Sequence, residues 1–271
     1  PAENFCEWFG GLQVKYGIKP YVQIKKPTRY ITQVRYQMPG NEVFFFINSS
    51  DEHDYELDAS FLPEIVNGNQ AWLWDGVTGE RFKLKLNNNK LSLPMGPATS
   101  AIIVFNKDRK GKSYNPIPLG GDTMSVKWKK DWEVELNHYD GQVLNTTMSE
   151  LKDLKEIPEY AHFAGTVTYK NTLVTDNPGK INYLNLGKVY GVSTVKLNGK
   201  DLGTKWFGHR IYPINHLLGK GENILEINVV TVMVNYMKTL TDNKVAQYWT
   251  NEKNKNQPLQ SLGLAGPVTA Y

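Results

Sequence analysis

The sequence predicts an all-β protein built of two β-sandwich domains. Three observations carry that expectation. Short β-branched or aromatic runs recur at roughly 8–12-residue spacing, Gly-, Asn-, Asp- and Pro-rich turns separate them, and one breaker-rich stretch divides the chain. At 271 residues there is room for two domains, each with a core of its own. Hydrophobic residues make up 40% and charged residues 21%, the balance of a folded chain.

In the first half, residues 30–36, 42–47, 55–61, 71–74, 81–86 and 101–105 read as strands. Met38-Pro39-Gly40-Asn41, residues 49–54, Asn67-Gly68-Asn69, Asp75-Gly76 and Asn87-Asn88-Asn89 punctuate them. Ala101-Ile102-Ile103-Val104-Phe105 is apolar throughout, as a strand covered on both faces must be. Lys, Gly, Pro and Asn then dominate from 107 to 125, including Tyr114-Asn115-Pro116-Ile117-Pro118, and this stretch reads as a linker. The expected domains are therefore 1–122 and 123–271.

The second half opens with the alternating Trp132-Glu133-Val134-Glu135-Leu136. Residues 150–159 suit a short helix or a crossing loop, and strands follow at 164–173, 180–186, 193–197, 210–214 and 223–232. Asn198-Gly199 between alternating residues marks a two-residue hairpin.

Composition narrows the function classes. The formal net charge is +4 and the lysines are scattered, whereas nucleic-acid binders gather charge on one face, so no nucleic-acid partner is expected. No apolar run approaches the roughly 20 residues a helix needs to cross a bilayer, and no membrane partner is expected. The single cysteine, Cys6, excludes an intrachain disulfide. The opening Pro1-Ala2-Glu3, without a methionine, suggests a chain that is processed or cut from a longer one.

No catalytic constellation emerges. Asp51, Glu52, Asp54, Glu56, Glu150, Asp153 and Glu156 all sit in polar, loop-like settings and read as solvated rather than as a hydrolytic pair. His53, His138, His162, His209 and His216 show no metal-ligand spacing, so neither a catalytic nor a metal site is assigned. Asp176-Asn177-Pro178-Gly179 could give oxygens to a structural calcium, and a plain turn explains it equally. Asn48-Ser49-Ser50 and Asn145-Thr146-Thr147 match the N-glycosylation pattern.

The remaining constellation is Trp206, Phe207, His209 and Arg210. At a sandwich rim the aromatics would form a platform, and the histidine and arginine would donate to hydroxyl or carboxylate groups of a glycan. The competing account is packing: Trp206 seals the sandwich end and Arg210 pairs with a nearby acid.

Leu186-Gly187, Val195, Asn198-Gly199, Gly203, Trp206, Ile214, Leu217, Gly221, Asn223, Leu225 and Ile227 occur in an order that resembles the galactose-binding-like jelly roll of family 2 and family 106 glycoside hydrolases. Trp132-Glu133-Val134, residues 163–169 and Gly263-Leu264-Ala265-Gly266-Pro267-Val268 resemble its start, an inner strand and its close. Arg35, residues 41–48 and Leu73-Trp74-Asp75-Gly76-Val77-Thr78-Gly79 resemble the preceding sandwich of alpha-L-rhamnosidase-like hydrolases. The resemblance implies a C-terminal, non-catalytic region, since that family carries its carboxylates on a (β/α)₈ barrel and no barrel pattern occurs here. It implies as partners that barrel, within one parent chain, and a plant or microbial glycan containing rhamnose, in the periplasm or outside the cell. Candidate carbohydrate contacts are Trp206, His209, Arg210, Asn235 and Tyr236. Where the family shows a proline pair and an aspartate, this chain has Gly208-His209 and Pro213. Asn235-Tyr236-Met237-Lys238-Thr239-Leu240 likewise replaces a family motif. Two other accounts are a stand-alone carbohydrate-binding module and a purely structural piece.

Overall fold

The structure, a computed structural model, describes residues 4–120, 127–129, 131–250 and 256–271. The chain divides into two compact units, Pro1–Ile117 and Pro118–Tyr271. The junction expected from sequence, between 122 and 123, lies outside the described residues.

The first unit contains α1 (Phe5–Tyr16), β1 (Val22–Ile24), β2 (Ile31–Met38), β3 (Asn41–Asn48), β4 (Tyr55–Phe61), α2 (Pro63–Val66), β5 (Gln70–Trp74), β6 (Arg81–Lys83), β7 (Lys90–Met95), β8 (Ser100–Asn106) and β9 (Lys112–Ser113). Two sheets, ordered β1-β4-β7 and β2-β3-β8-β5-β6-β9, enclose the core. Period-two alternation sends Phe44 and Phe46 of β3 inward with Ile103 and Phe105 of β8 and Leu57, Ala59 and Phe61 of β4. Phe44, Phe61 and Phe105 meet edge to face at centroid distances of 4.8–5.9 Å, the preferred aromatic geometry. Val104 and Trp72 are buried outside this core, and the Trp72 indole donates to Asn106 Oδ1 at 3.0 Å.

Helix α1 was not expected from the sequence. Its aromatics and the Gly10-Gly11 pair disfavour a helix, but both ends are capped. Asn4 Oδ1 accepts from the Glu7 N–H, and Gly17 takes the left-handed conformation (φ 63°) while its N–H and that of Ile18 close the last turn.

The second unit contains β10 (Lys127–Trp128), β11 (Trp132–His138), β12 (Val143–Met148), β13 (Gly165–Thr175), β14 (Tyr183–Asn185), β15 (Lys188–Tyr190), β16 (Val192–Leu197), β17 (Lys200–Lys205), β18 (Ile211–Pro213), β19 (Gly221–Val230), α3 (Val234–Met237), α4 (Lys244–Trp249), β20 (Gly263–Gly266) and β21 (Thr269–Ala270). Its main sheet is ordered β12-β11-β13-β19-β16-β17, with β10 also on β13. Smaller sheets β18-β14-β21 and β15-β20 complete the sandwich. Leu136, Val167, Tyr169, Val195, Leu225, Ile227 and Val229 point from the large sheet into a core shared with Leu184, Tyr212 and Leu264. Leu186-Gly187 and Gly266-Pro267 explain each other: Gly187 has φ 68°, and a Cβ there would sit 2.5 Å from the Gly266 carbonyl carbon. The all-β, two-sandwich expectation, with a jelly-roll second unit, describes the molecule.

Candidate functional site

Strand register identifies the rim. His138 pairs with Gly165, Thr166 with Val230, Val192 with Val230, and Ser193 with Lys205. The ends of β11, β19 and β17 and the starts of β13 and β16 therefore lie along one edge of the large sheet. The segments leaving this edge carry every candidate carbohydrate contact named from sequence: Trp206, His209 and Arg210 after β17, and Asn235 and Tyr236 after β19. Four strand spacings, about 19 Å, separate β11 from β17, so the candidates fall into two corners.

At the β17 corner Trp206 is 65% exposed and meets Phe207 edge-on, centroids 5.0 Å apart. His209 is half-buried. Arg210 is only 8% exposed. Its Nη1 donates to the Gly208 carbonyl at 2.5 Å and its Nη2 to the Gly191 carbonyl at 3.3 Å, while its Nε–H is buried without an acceptor among the described residues. Burial pulls the guanidinium pKa below its ordinary value. Beneath it, Tyr212 Oη donates to the Ser193 carbonyl at 3.0 Å and lies 2.9 Å from Ser193 Oγ. Neither half of the packing account describes this corner: the indole does not seal the sandwich, and no carboxylate pairs with Arg210 among the described residues.

At the β11 corner Asn235 is fully buried. Its Nδ2 donates to the carbonyls of Ala161 (2.9 Å) and Gln260 (2.8 Å), and its Oδ1 accepts the Gln260 N–H (2.8 Å). Asn235 thus ties two loops together and presents Tyr236, whose ring lies 5.0 Å from His138 and 4.9 Å from Tyr139. The two phenols share a 2.8 Å hydrogen bond, which pushes the Tyr236 pKa up. His138 Nδ1 stands 2.8 Å from Asp140 Oδ1, and the Gln142 N–H followed by His138 holds the Asp140 pKa down. His138, Tyr139 and Asp140 were missed from sequence. Their signal was a His-Tyr-Asp-Gly turn closing an alternating strand.

Two expectations need correction. Asp153, read as solvated, is buried: its Oδ1 accepts from the N–H groups of Lys155 (3.0 Å) and Leu262 (2.9 Å), capping a single 3₁₀ turn at Leu154–Glu156. Asn48 is buried too, and its amide donates to the carbonyls of His53, Met95 and Gly96, which leaves only Asn145 of the two glycosylation patterns open to solvent. Asp176 is exposed at the opposite edge, beside the Thr175–Gly221 pair. No group of three or more His, Cys, Asp or Glu side chains that could hold a metal occurs among the described residues. No helix among them is long and apolar enough to cross a membrane.

No protein-family model and no curated protein matches the sequence. A rhamnosidase from Novosphingobium sp. PP1Y superimposes on 97% of this chain with a TM-score of 0.67 at 20% identity, which shows a common fold. This chain spans only 26% of that protein. Beta-glucuronidases from Ruminococcus gnavus and Dictyoglomus thermophilum align with 43% and 42% of the chain at 12% and 23% identity, with TM-scores of 0.35 and 0.32.

Proposed function

We propose that this chain is the non-catalytic C-terminal region of an alpha-L-rhamnosidase-like glycoside hydrolase of the periplasm or extracellular space. The catalytic barrel lies elsewhere in the same polypeptide. The observation carrying this reading is the asymmetry of the match: nearly all of this chain follows about a quarter of a rhamnosidase. The first unit buttresses the barrel and the rim of the second meets a rhamnose-containing glycan. In support of the buttress, Phe5, Trp8, Phe9, Val14, Tyr16 and Ile18 are all exposed on and just after α1. An isolated helix of this length is marginal in water, so its side chains await a covering surface.

Immunoblotting the native source with an antibody to this chain tests the parent. A band far above the mass of 271 residues is expected, and a band at that mass would replace this reading with a stand-alone binding module. The isolated chain should release no sugar from aryl rhamnosides, and turnover that copurifies with it through several columns would overturn the non-catalytic assignment. Retention of the chain on an immobilised rhamnose-containing polysaccharide should fall at least tenfold on Trp206→Ala with the melting temperature unchanged.

A further inference from the structure

We propose that the corner between β17 and β18 binds a saccharide carrying a carboxylate, gripped by the Arg210 guanidinium beside the open face of Trp206. This rests on the glycan-contacting reading of the rim and narrows it to acidic sugars.

The case begins with a charge that lacks its counter-charge. Arg210 is buried, yet the groups it holds are two neutral backbone carbonyls, those of Gly208 and Gly191. Its third donor site, Nε–H, is buried without an acceptor among the described residues. Buried charges in proteins are normally paired, and a buried N–H is normally satisfied. The nearest acid in sequence, Asp201, accepts the Gly203 N–H at 2.7 Å, and from Leu202 to Lys220 there is no Asp or Glu, while Lys205, His209, Arg210, His216 and Lys220 are basic or titratable. The strands alongside reach this edge with Gly191, Val192, Val230 and Thr231, none of them acidic.

The missing acceptor has a definite chemistry. A carboxylate binds guanidinium side-on through Nε–H and one Nη–H, supplying two oxygens and the negative charge together. A hydroxyl could accept the Nε–H bond but would leave the charge uncompensated. The segment leading into Arg210 runs from Trp206 to His209, and its Gly208 has a left-handed φ of 64°. In binding, the carboxylate bridges Nε–H and the neighbouring Nη2–H, taking over from the long 3.3 Å contact to the Gly191 carbonyl, while Nη1 keeps the Gly208 carbonyl. Trp206 then offers an apolar face for the sugar ring whose acid group enters the corner.

The Arg210 Nε–H resonance of the ¹⁵N-labelled 271-residue chain reads the contact directly. It is followed while galacturonate, glucuronate and mannuronate oligosaccharides are added, each against its methyl ester. The expected result is a saturable shift with at least one acid, a tenfold or greater preference over its ester, and weakening of that preference by salt. Trp206→Ala should weaken acid binding about tenfold, and Arg210→Gln should abolish the acid preference. If Arg210→Gln fails to fold, the acid–ester comparison on the unsubstituted chain still decides. Equal binding of acid and ester, lost in Trp206→Ala, overturns the acidic-sugar proposal while leaving the glycan-contacting rim standing. An unmoved Arg210 resonance and no binding of any acid, ester or neutral rhamnose-containing glycan overturns both at this corner.

Discussion

The two units differ in what they leave uncovered. The first exposes large apolar side chains along α1 and again on β2, where Val34, Tyr36 and Met38 are open to solvent. β2 is also an edge strand, with one hydrogen-bonding side unpaired within its sheet. In the second unit the outer face of the large sheet is finished with polar groups. Glu133, Lys170, Glu226 and Lys196 follow one another across β11, β13, β19 and β16, and Lys170 and Lys196 both reach Glu226, at 3.3 and 3.7 Å. Beside them Thr168 Oγ1 donates to Asn228 Oδ1 at 2.8 Å and Thr194 lies 2.9 Å from Thr204. Opposite charges side by side on a sheet each contribute a few tenths of a kcal/mol, up to about 1, and they keep that face soluble. The contrast teaches where to look for partners: an apolar surface asks for protein, and a polar sheet face with exposed aromatics at its rim asks for a small or hydrophilic ligand.

The sharpest way to break the comparison is to damage one core and watch the other. Phe44 is fully buried against Phe61 and Phe105, so Phe44→Ala should cost about 3–5 kcal/mol of first-unit stability. Hydrogen exchange should show β3 and β8 losing protection while β13 and β19 keep theirs. Equal loss in both units would mean that they unfold as one body and that the division is only geometric.

Next in size is Tyr169, fully buried beneath β20, where its Oη accepts the Leu264 N–H at 3.1 Å. Tyr169→Phe keeps the ring but orphans that N–H, and should cost about 1–3 kcal/mol at neutral pH. Desolvation pushes the Tyr169 pKa well above its ordinary value. A raised folded-state pKa gives stability that is complete below the unfolded tyrosine value of about 10 and drains away as pH climbs beyond it. The variant should therefore lose less stability than the parent above pH 10, so the two melting-temperature curves converge on the alkaline side. Parallel curves would remove Tyr169 as the alkaline trigger. The first unit has no fully buried tyrosine among its core residues, and its protection should fall later.

These cores were largely legible in the sequence because strand alternation is a local signal. Residues 55–61 were placed without error, and β3, β8, β11, β13 and β19 were found to within a few residues. Among the strands missed, β7 contains Pro94, β12 and β17 are the polar edge strands of the large sheet, and β1, β9, β10, β15, β20 and β21 are only two to four residues long, too short to show alternation. The rim was half legible. Trp206 and Arg210 stand out by chemistry, but the burial of Arg210 and the absence of an acid beside it are long-range facts set by Gly191 and the strand register. Asn235 carried a motif position yet acts as a brace, and His138-Tyr139-Asp140 joins Tyr236 only because β11 and the end of β19 reach the same edge.

A covalent probe separates the exposed sheet edge from buried clamps that share its motif. Expressed in a host that glycosylates secreted proteins, the chain should carry glycan at Asn145, exposed on β12, and none at Asn48, whose amide is committed to three carbonyls. Intact mass and peptide mapping check both. Modified Asn48 would mean that the loop formed by residues 49–54 closes only after the sugar is attached.

The smallest effect on stability belongs to the feature with the largest consequence for assembly. Trp8 is 51% exposed on α1, with Phe5 at a 5.6 Å centroid distance as its aromatic neighbour. In the isolated chain Trp8→Glu breaks no core contact, so it should change unfolding free energy by no more than about 0.5 kcal/mol. It should nevertheless reduce self-association measured by sedimentation velocity, because an exposed aromatic helix face gathers copies of itself. If the proposed parent enzyme covers α1 with its barrel, the same substitution should lower that enzyme's stability by about 1–3 kcal/mol, since a charge would then be forced into a buried apolar contact. A large destabilisation of the isolated chain would show instead that Trp8 packs within the first unit, and the search for what the apolar surface meets would move to β2.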